Sequence, residues 1–129
     1  MSKERPTPRT TRQKEAIESV LHQEQHPLLP EEILRLASGL VPSLGIATVY
    51  RSLKNLQTEG SVCCVEIPGQ SPRYEMTDKG HHHHFHCKKC QTVFDLHECV
   101  AGLKKLAPEG FEVTDHEIIL YGLCRNCAA

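Results

Sequence analysis

The chain has 129 residues, 39% of them apolar and only 5% aromatic, with no Trp. That suffices for one ordinary domain or two small ones with a modest interior, so metal, cross-links or a second copy should supplement the core. The formal net charge is −1, but seven Cys and nine His crowd the sequence. An odd Cys count argues against a disulfide scaffold, and no apolar run approaches bilayer length.

Residues 1–14 carry five cations (Lys3, Arg5, Arg9, Arg12 and Lys14) against one anion, Glu4. Residues 61–129 carry seven cations and nine anions. A basic arm on a neutral body can meet phosphates while the remainder does other work. The arm has no apolar core, so no secretory signal is expected, and a cytoplasmic location follows.

Helical spacing of Ile17, Val20 and Leu21 predicts a first helix over 11–25. His26-Pro27 marks a loop, and Pro30 opens a second helix over 30–37 through Ile33, Leu34 and Ala37. Gly39 and Pro42 end it. Ser43 is expected to cap a third helix over 43–59, stopped by Gly60. Ile46, Val49, Leu53 and Leu56 form its apolar stripe, with Thr48, Arg51 and Asn55 opposite and Tyr50 and Lys54 on the flanks. Two strands, 62–67 and 73–77, follow around a Pro-Gly-Gln-Ser-Pro turn.

Three helices and a hairpin make the winged-helix order. The polar face of the third helix carries side chains that read base edges and phosphates in a major groove. A DNA-binding domain is therefore expected over 1–77, followed by a linker over 78–86. A small α/β unit should fill 87–129, with strands at 92–94 and 111–121 flanking a helix over 97–107. Val100, Leu103 and Leu106 are the expected buried stripe of that helix. The fold class is thus α+β: an N-terminal winged helix and a small C-terminal dimerisation domain. The short core of the second domain suggests a homodimer.

Cys87-Lys-Lys-Cys90 and Cys124-Arg-Asn-Cys127 are two C-x-x-C knuckles separated by 33 residues. Four thiolates favour tetrahedral zinc in a closed, structural site. The βαβ context of a thioredoxin-like redox pair is lacking. Around the knuckles lie Glu75, His81 to His84 and His86 on one side, and Asp95, His97 and Cys99 on the other. In an extended segment His82 and His84 project together, and His81 and His83 oppose them. Imidazole with carboxylate suits zinc, iron(II) or manganese(II). His116 interrupts an apolar strand, and Cys63 and Cys64 face opposite sides of the first hairpin strand. No H-E-x-x-H or comparable catalytic device is present, so the chain is not read as an enzyme. A metal buffer or redox sensor without DNA binding is the alternative class.

Three stretches resemble the ferric uptake regulator family: Arg9-Thr-Thr-Arg-Gln-Lys14 through Ile17, Gly45-Ile-Ala-Thr-Val-Tyr-Arg-Ser-Leu53, and the metal region. The metal region joins Glu75 and His81 to His84 with Cys87/Cys90 and Tyr121-Gly-Leu-Cys124-x-x-Cys127. The resemblance implies a dimeric, metal-responsive transcription factor, binding double-stranded DNA at A/T-rich inverted repeats. Metal at a regulatory site between the domains would lock the winged helices at operator spacing.

By position, Arg9 would reach the minor groove, and Tyr50 and Arg51 the major groove. Cys87, Cys90, Cys124 and Cys127 would hold structural zinc, and Glu75, His82, His84 and Asp95 the regulatory metal. The family's His before the second helix falls on Pro27, with His26 one residue early. A further family site matches His81, His83 and His116, but its helical acid falls on Gly102. Asp95-Leu-His-Glu-Cys99 and the Gly-Leu-Cys-x-x-Cys ending resemble zinc uptake regulators, in which a ligand often comes from the first wing strand, near Cys63 and Cys64, although the Cys they often carry just before the His run is absent. Glu75 is the choice of the iron branch, and an Asp at position 95 also occurs in peroxide-sensing relatives. Zinc is the expected regulatory metal, with iron(II) or manganese(II) as alternatives, and control of metal-homeostasis genes, as a repressor or an activator, is the role. An iron-responsive or peroxide-sensing regulator of the same family is the alternative function.

Overall fold

The computed structural model describes residues 9–24 and 26–129, with side chains from Thr11 onward. The chain divides into two compact units, one ending at Asp78 and the other starting at Lys79.

The first unit is built from helices α1 (Arg9–Gln23), α2 (Pro30–Ala37) and α3 (Ile46–Thr58), then an antiparallel hairpin of β1 (Val62–Val65) and β2 (Arg73–Met76). Ala16, Ile17, Val20 and Leu21 turn one face of α1 inward, against Ile33 and Ala37 of α2 and Val49, Leu53 and Leu56 of α3. Pro30 supplies the fixed φ of the first turn of α2, and the Leu29 N–H donates to Glu32 Oε1 at 3.0 Å, satisfying one end-of-helix donor. Leu28 bridges to Tyr74, tying the loop before α2 to the hairpin.

The start of α3 differs from expectation. Gly45, at φ −114° and ψ 162°, is its cap, and Ser43 lies outside. The Leu44 N–H donates to the Val41 carbonyl at 3.0 Å while its side chain is buried, so the chain turns until Leu44 is seated and coils only afterwards. Ile46 consequently begins the helix at 39% exposure instead of joining the stripe. The other end follows the sequence. Gly60 sits at φ +81°, its N–H donates to Gln57, and the Ser61 N–H donates to Leu56. This paired closure favours a glycine in the left-handed position. The first hairpin strand stops at Val65, short of the expected 67, although Ile67 remains buried.

The second unit is a three-stranded sheet with β3 (His83–Cys87) at its centre, β4 (Val93–Leu96) antiparallel on one side and β5 (Ile119–Gly122) parallel on the other. A short helix, α4 (Arg125–Ala128), closes the chain. Residues 83–86, expected as linker, are therefore sheet. A His-rich strand escapes the usual apolar patterning because its imidazoles meet polar partners: His83 meets Cys99, His84 meets Asp95 and His86 meets Gln91.

The helix expected over 97–107 is absent. Gly102 takes φ +84°, and only one 3-10 turn forms, at Leu103–Leu106. The expected stripe does not bury: Val100 is 65% and Leu106 81% exposed. The strand expected over 111–121 shrinks to Ile119–Gly122, leaving Phe111 exposed and His116 outside any strand. The apolar spacing is real, but this unit offers no apolar layer to receive it, and tertiary burial is what sustains a helix. Among the described residues, no helix is long and apolar enough to cross a membrane.

Candidate metal centres and nucleic-acid face

Strand β3 and the residue pairs around it bring three donor groups together. Cys87 ends β3, and the chain turns back through Cys90 and Gln91 into β4. Gln91 holds φ +64°, with its side-chain amide donating to the Lys88 carbonyl at 2.8 Å and its Oε1 2.9 Å from His86 Nε2. Two hydrogen bonds thus fix an uncommon backbone conformation at the knuckle. The second knuckle follows β5, with Cys124 capping α4 and Cys127 in its first turn.

The four sulphurs of Cys87, Cys90, Cys124 and Cys127 lie within 4.8 Å of one another. The Cys124 and Cys90 backbone N–H groups stabilise the Cys87 thiolate and bring its pKa down to about 6. The Thr92 hydroxyl and N–H lower that of Cys90. Cys127, hydrogen-bonded to Cys124 and desolvated beside the other sulphurs, is pushed up to about 12. Four thiolates at this spacing repel one another, and a divalent cation is what stabilises them all. The donor set fits zinc.

The alternation along 81–84 separates the other two groups. On one face, the His82 and His84 rings lie 4.9 Å apart, with their Nε2 atoms 3.8 and 3.4 Å from Asp95 Oδ1. Asp95 comes from β4, directly opposite His84 in the register. His82 Nδ1 lies 2.8 Å from the Gly80 carbonyl, which orients the ring with Nε2 toward the carboxylate. Lys79 Nζ is 2.6 Å from Asp95 Oδ2 and supplies a positive charge there. Two imidazoles and a carboxylate suit zinc, iron(II) or manganese(II).

On the other face, His81, His83, Cys99 and His116 gather, with their donor atoms within 4.8 Å of one another. The His81 ring is 4.6 Å from that of His83 and 4.9 Å from that of His116. Burial first, then the neighbouring imidazoles, lower the pKa of His83 and keep it neutral, the form that ligates. Cys99, which like Cys64 has no role assigned from the sequence, is the fourth member of this group. Its signal was present in the sequence: the acid expected at this site falls on Gly102, while a thiol stands three residues earlier.

In the first unit, Glu75 is 1% exposed on β2, and its cross-strand partner is Cys63. Cys64 pairs with Tyr74, and burial raises its thiol pKa. His26 Nδ1 lies 3.9 Å from Glu24 Oε2, and His26 joins none of the three donor groups among the described residues.

On α3, Tyr50, Arg51, Lys54 and Asn55 are exposed, and Thr48 is half-buried. Arg51 Nη2 donates to Thr48 Oγ1 at 3.0 Å, holding the guanidinium along the helix surface. A groove lined by Thr11, Gln13, Lys14, Thr48, Arg51, Ser52 and Asn55 runs beside them. Lys14 of α1 pairs with Glu59 just past α3. The side chain of Arg9 lies outside those described.

The sequence model of the ferric uptake regulator family matches residues 7–121. The chain belongs to the ferric uptake regulator family. It is 31% identical over 122 residues to the ferric uptake regulation protein of Campylobacter jejuni, spanning 91% of this chain and 78% of that one. The ferric uptake regulator of Helicobacter pylori, described as having three functional metal-binding sites, superimposes with a TM-score of 0.74 at 25% identity, over 91% and 80% of the two chains. A zinc-bound manganese uptake regulator gives 0.76 at 26% identity over 91% of each. The chain is accordingly a metal-responsive regulator of the ferric uptake regulator family.

Proposed function

We propose that this chain binds an A/T-rich inverted-repeat operator as a homodimer when its regulatory ligands hold metal, and so represses metal-homeostasis genes in the cytoplasm. The observation that carries the reading is the division of one His run into two donor faces beside a separate four-cysteine cluster. One cluster can stabilise the fold while another responds to supply. The regulatory ligands are His82, His84 and Asp95, with Glu75 added on the family resemblance. Cys87, Cys90, Cys124 and Cys127 hold structural zinc. Thr48, Tyr50, Arg51, Lys54 and Asn55 meet the major groove, and Arg9 the minor groove.

Zinc is the leading regulatory metal, because Cys63 stands directly across the hairpin from Glu75 and a thiol there favours it. Iron(II) is the second reading, favoured by the two carboxylates Glu75 and Asp95 and by the likeness to the Campylobacter jejuni protein.

The test is operator binding at fixed salt, with zinc, iron(II) and manganese(II) each buffered at known free concentration. Salt must be fixed because phosphate contacts make affinity steeply salt-dependent. The physiological metal should tighten binding by about 5–150-fold, the usual range of coupling between two sites. Unchanged affinity in protein already carrying structural zinc would sink the proposal. Arg51→Ala should weaken metal-loaded binding by about 1–3 kcal/mol and relax preference at the base it contacts.

A further inference from the structure

We infer that Cys99 is the fourth ligand of a closed tetrahedral site, with His81, His83 and His116, that takes a divalent cation of the zinc class. Bound there, the cation fastens the irregular stretch between β4 and β5 to the start of β3. The site lies wholly within the second unit and stands whether or not the chain binds DNA.

The geometry carries the assignment. Cys99 Sγ lies 3.3 Å from His83 Nε2 and 3.2 Å from His116 Nε2. With Zn–S of about 2.3 Å and Zn–N of about 2.0–2.1 Å, a tetrahedral ion spaces its sulphur and nitrogen ligands by roughly 3.5 Å. The observed separations are close to that edge length. Four protein donors leave no open coordination position, which marks a structural or sensing site over a hydrolytic one.

A second observation concerns what holds the intervening chain. Between Leu96 and Ile119 the only regular element is the turn at Leu103–Leu106, an unusually long stretch for a small domain. Its large apolar side chains do not anchor it: Val100, Leu106 and Phe111 are all more than half exposed. Cys99 and His116 lie near the two ends of this stretch, and His81 and His83 meet both. One ion there closes the loop at its base, where cross-linking removes the most chain entropy.

Thiolate in place of carboxylate sets the metal. Three imidazoles and a thiolate favour zinc and cobalt(II) over manganese(II) and iron(II), whereas an oxygen donor would narrow that difference. Ligation through His83 Nε2 puts the ring proton on Nδ1. The Ile118 N–H, now 3.2 Å from Nδ1, must then turn away on loading.

The experiment uses the full chain carrying Cys63→Ser, which removes any thiol contribution from beside the regulatory ligands, with one zinc per chain already in the four-cysteine cluster, titrated with cobalt(II). We expect tetrahedral ligand-field absorption together with a thiolate-to-cobalt charge-transfer band. Adding Cys99→Ser should abolish that band and weaken cobalt binding at this site at least tenfold, with the structural zinc retained by the four cysteines. Charge transfer undiminished on adding Cys99→Ser, or already absent with Cys63→Ser alone, would overturn the assignment. A readout that needs no variant is alkylation of Cys99 in the native sequence. Zinc added until every remaining site is saturated should slow it at least tenfold and shift the Ile118 amide resonance; an unchanged rate at saturation would also overturn it.

Discussion

Thirteen apolar side chains between Ala16 and Met76 bury against one another in the first unit. In the second, among the described residues, the buried set is His83, His86, Cys87 and Val93. The first unit solves its folding problem with aliphatic contact, in which each helix offers a stripe and the hairpin closes the end. The second replaces a core with donor atoms arranged around a strand, and leaves Val100, Leu106, Phe111, Leu120, Tyr121 and Leu123 exposed. The difference shows how one chain can hold one unit together by apolar burial and another around metal-ligating side chains. Apolar burial is always present, whereas coordination depends on the surroundings.

The sharpest way to break this contrast is to remove metal. Chelation under reducing conditions, or Cys124→Ser, should cost the second unit most of its stability. Structural zinc contributes about 10–16 kcal/mol of apparent free energy in zinc-finger peptides at neutral pH. Hydrogen exchange should then show the amides of β3 and β5 losing protection while those of Ile17 and Leu53 keep theirs. Equal loss in both units would mean that the first depends on metal too.

The complementary prediction attacks the aliphatic side. Leu53 is 1% exposed in the middle of α3, and Leu53→Ala should destabilise the first unit by about 2–5 kcal/mol through lost burial and the cavity left behind. Denaturant titration followed by α-helical circular dichroism measures it. Zinc stoichiometry should stay unchanged, because none of the donor residues belongs to that core.

The same contrast explains what could be read from the sequence. Periodicity located α1, α2 and most of α3, since Ile17, Val20, Leu21, Val49, Leu53 and Leu56 bury at helical spacing against a core that exists. The knuckle pairs were legible because C-x-x-C spacing is itself the chemistry. The alternation at 81–84 was legible because strand geometry imposes a period of two. Where coordination replaces burial, periodicity misled. Val100, Leu103 and Leu106 have helical spacing but no layer to cover them. Three of the four residues at 83–86 are His, yet the segment forms the central strand. The grouping of Cys99 with His116 joins positions 17 apart through a loop of irregular backbone, which no local pattern encodes.

The smallest expected effect tests that misleading stripe. Leu106 is 81% exposed beside the turn at Leu103–Leu106. Leu106→Ser should therefore shift the stability of the metal-loaded chain by no more than about 0.5 kcal/mol, the usual size of a surface change. A buried helical position would instead lose about 2–5 kcal/mol on truncation. Thermal unfolding at high dilution isolates the chain's own stability from any covering by a second copy. A concentration-dependent loss that vanishes on dilution would place Leu106 under the partner in the proposed homodimer. A loss of about 2 kcal/mol that persists at dilution would restore a buried helix at 97–107 and weaken the contrast between the two units.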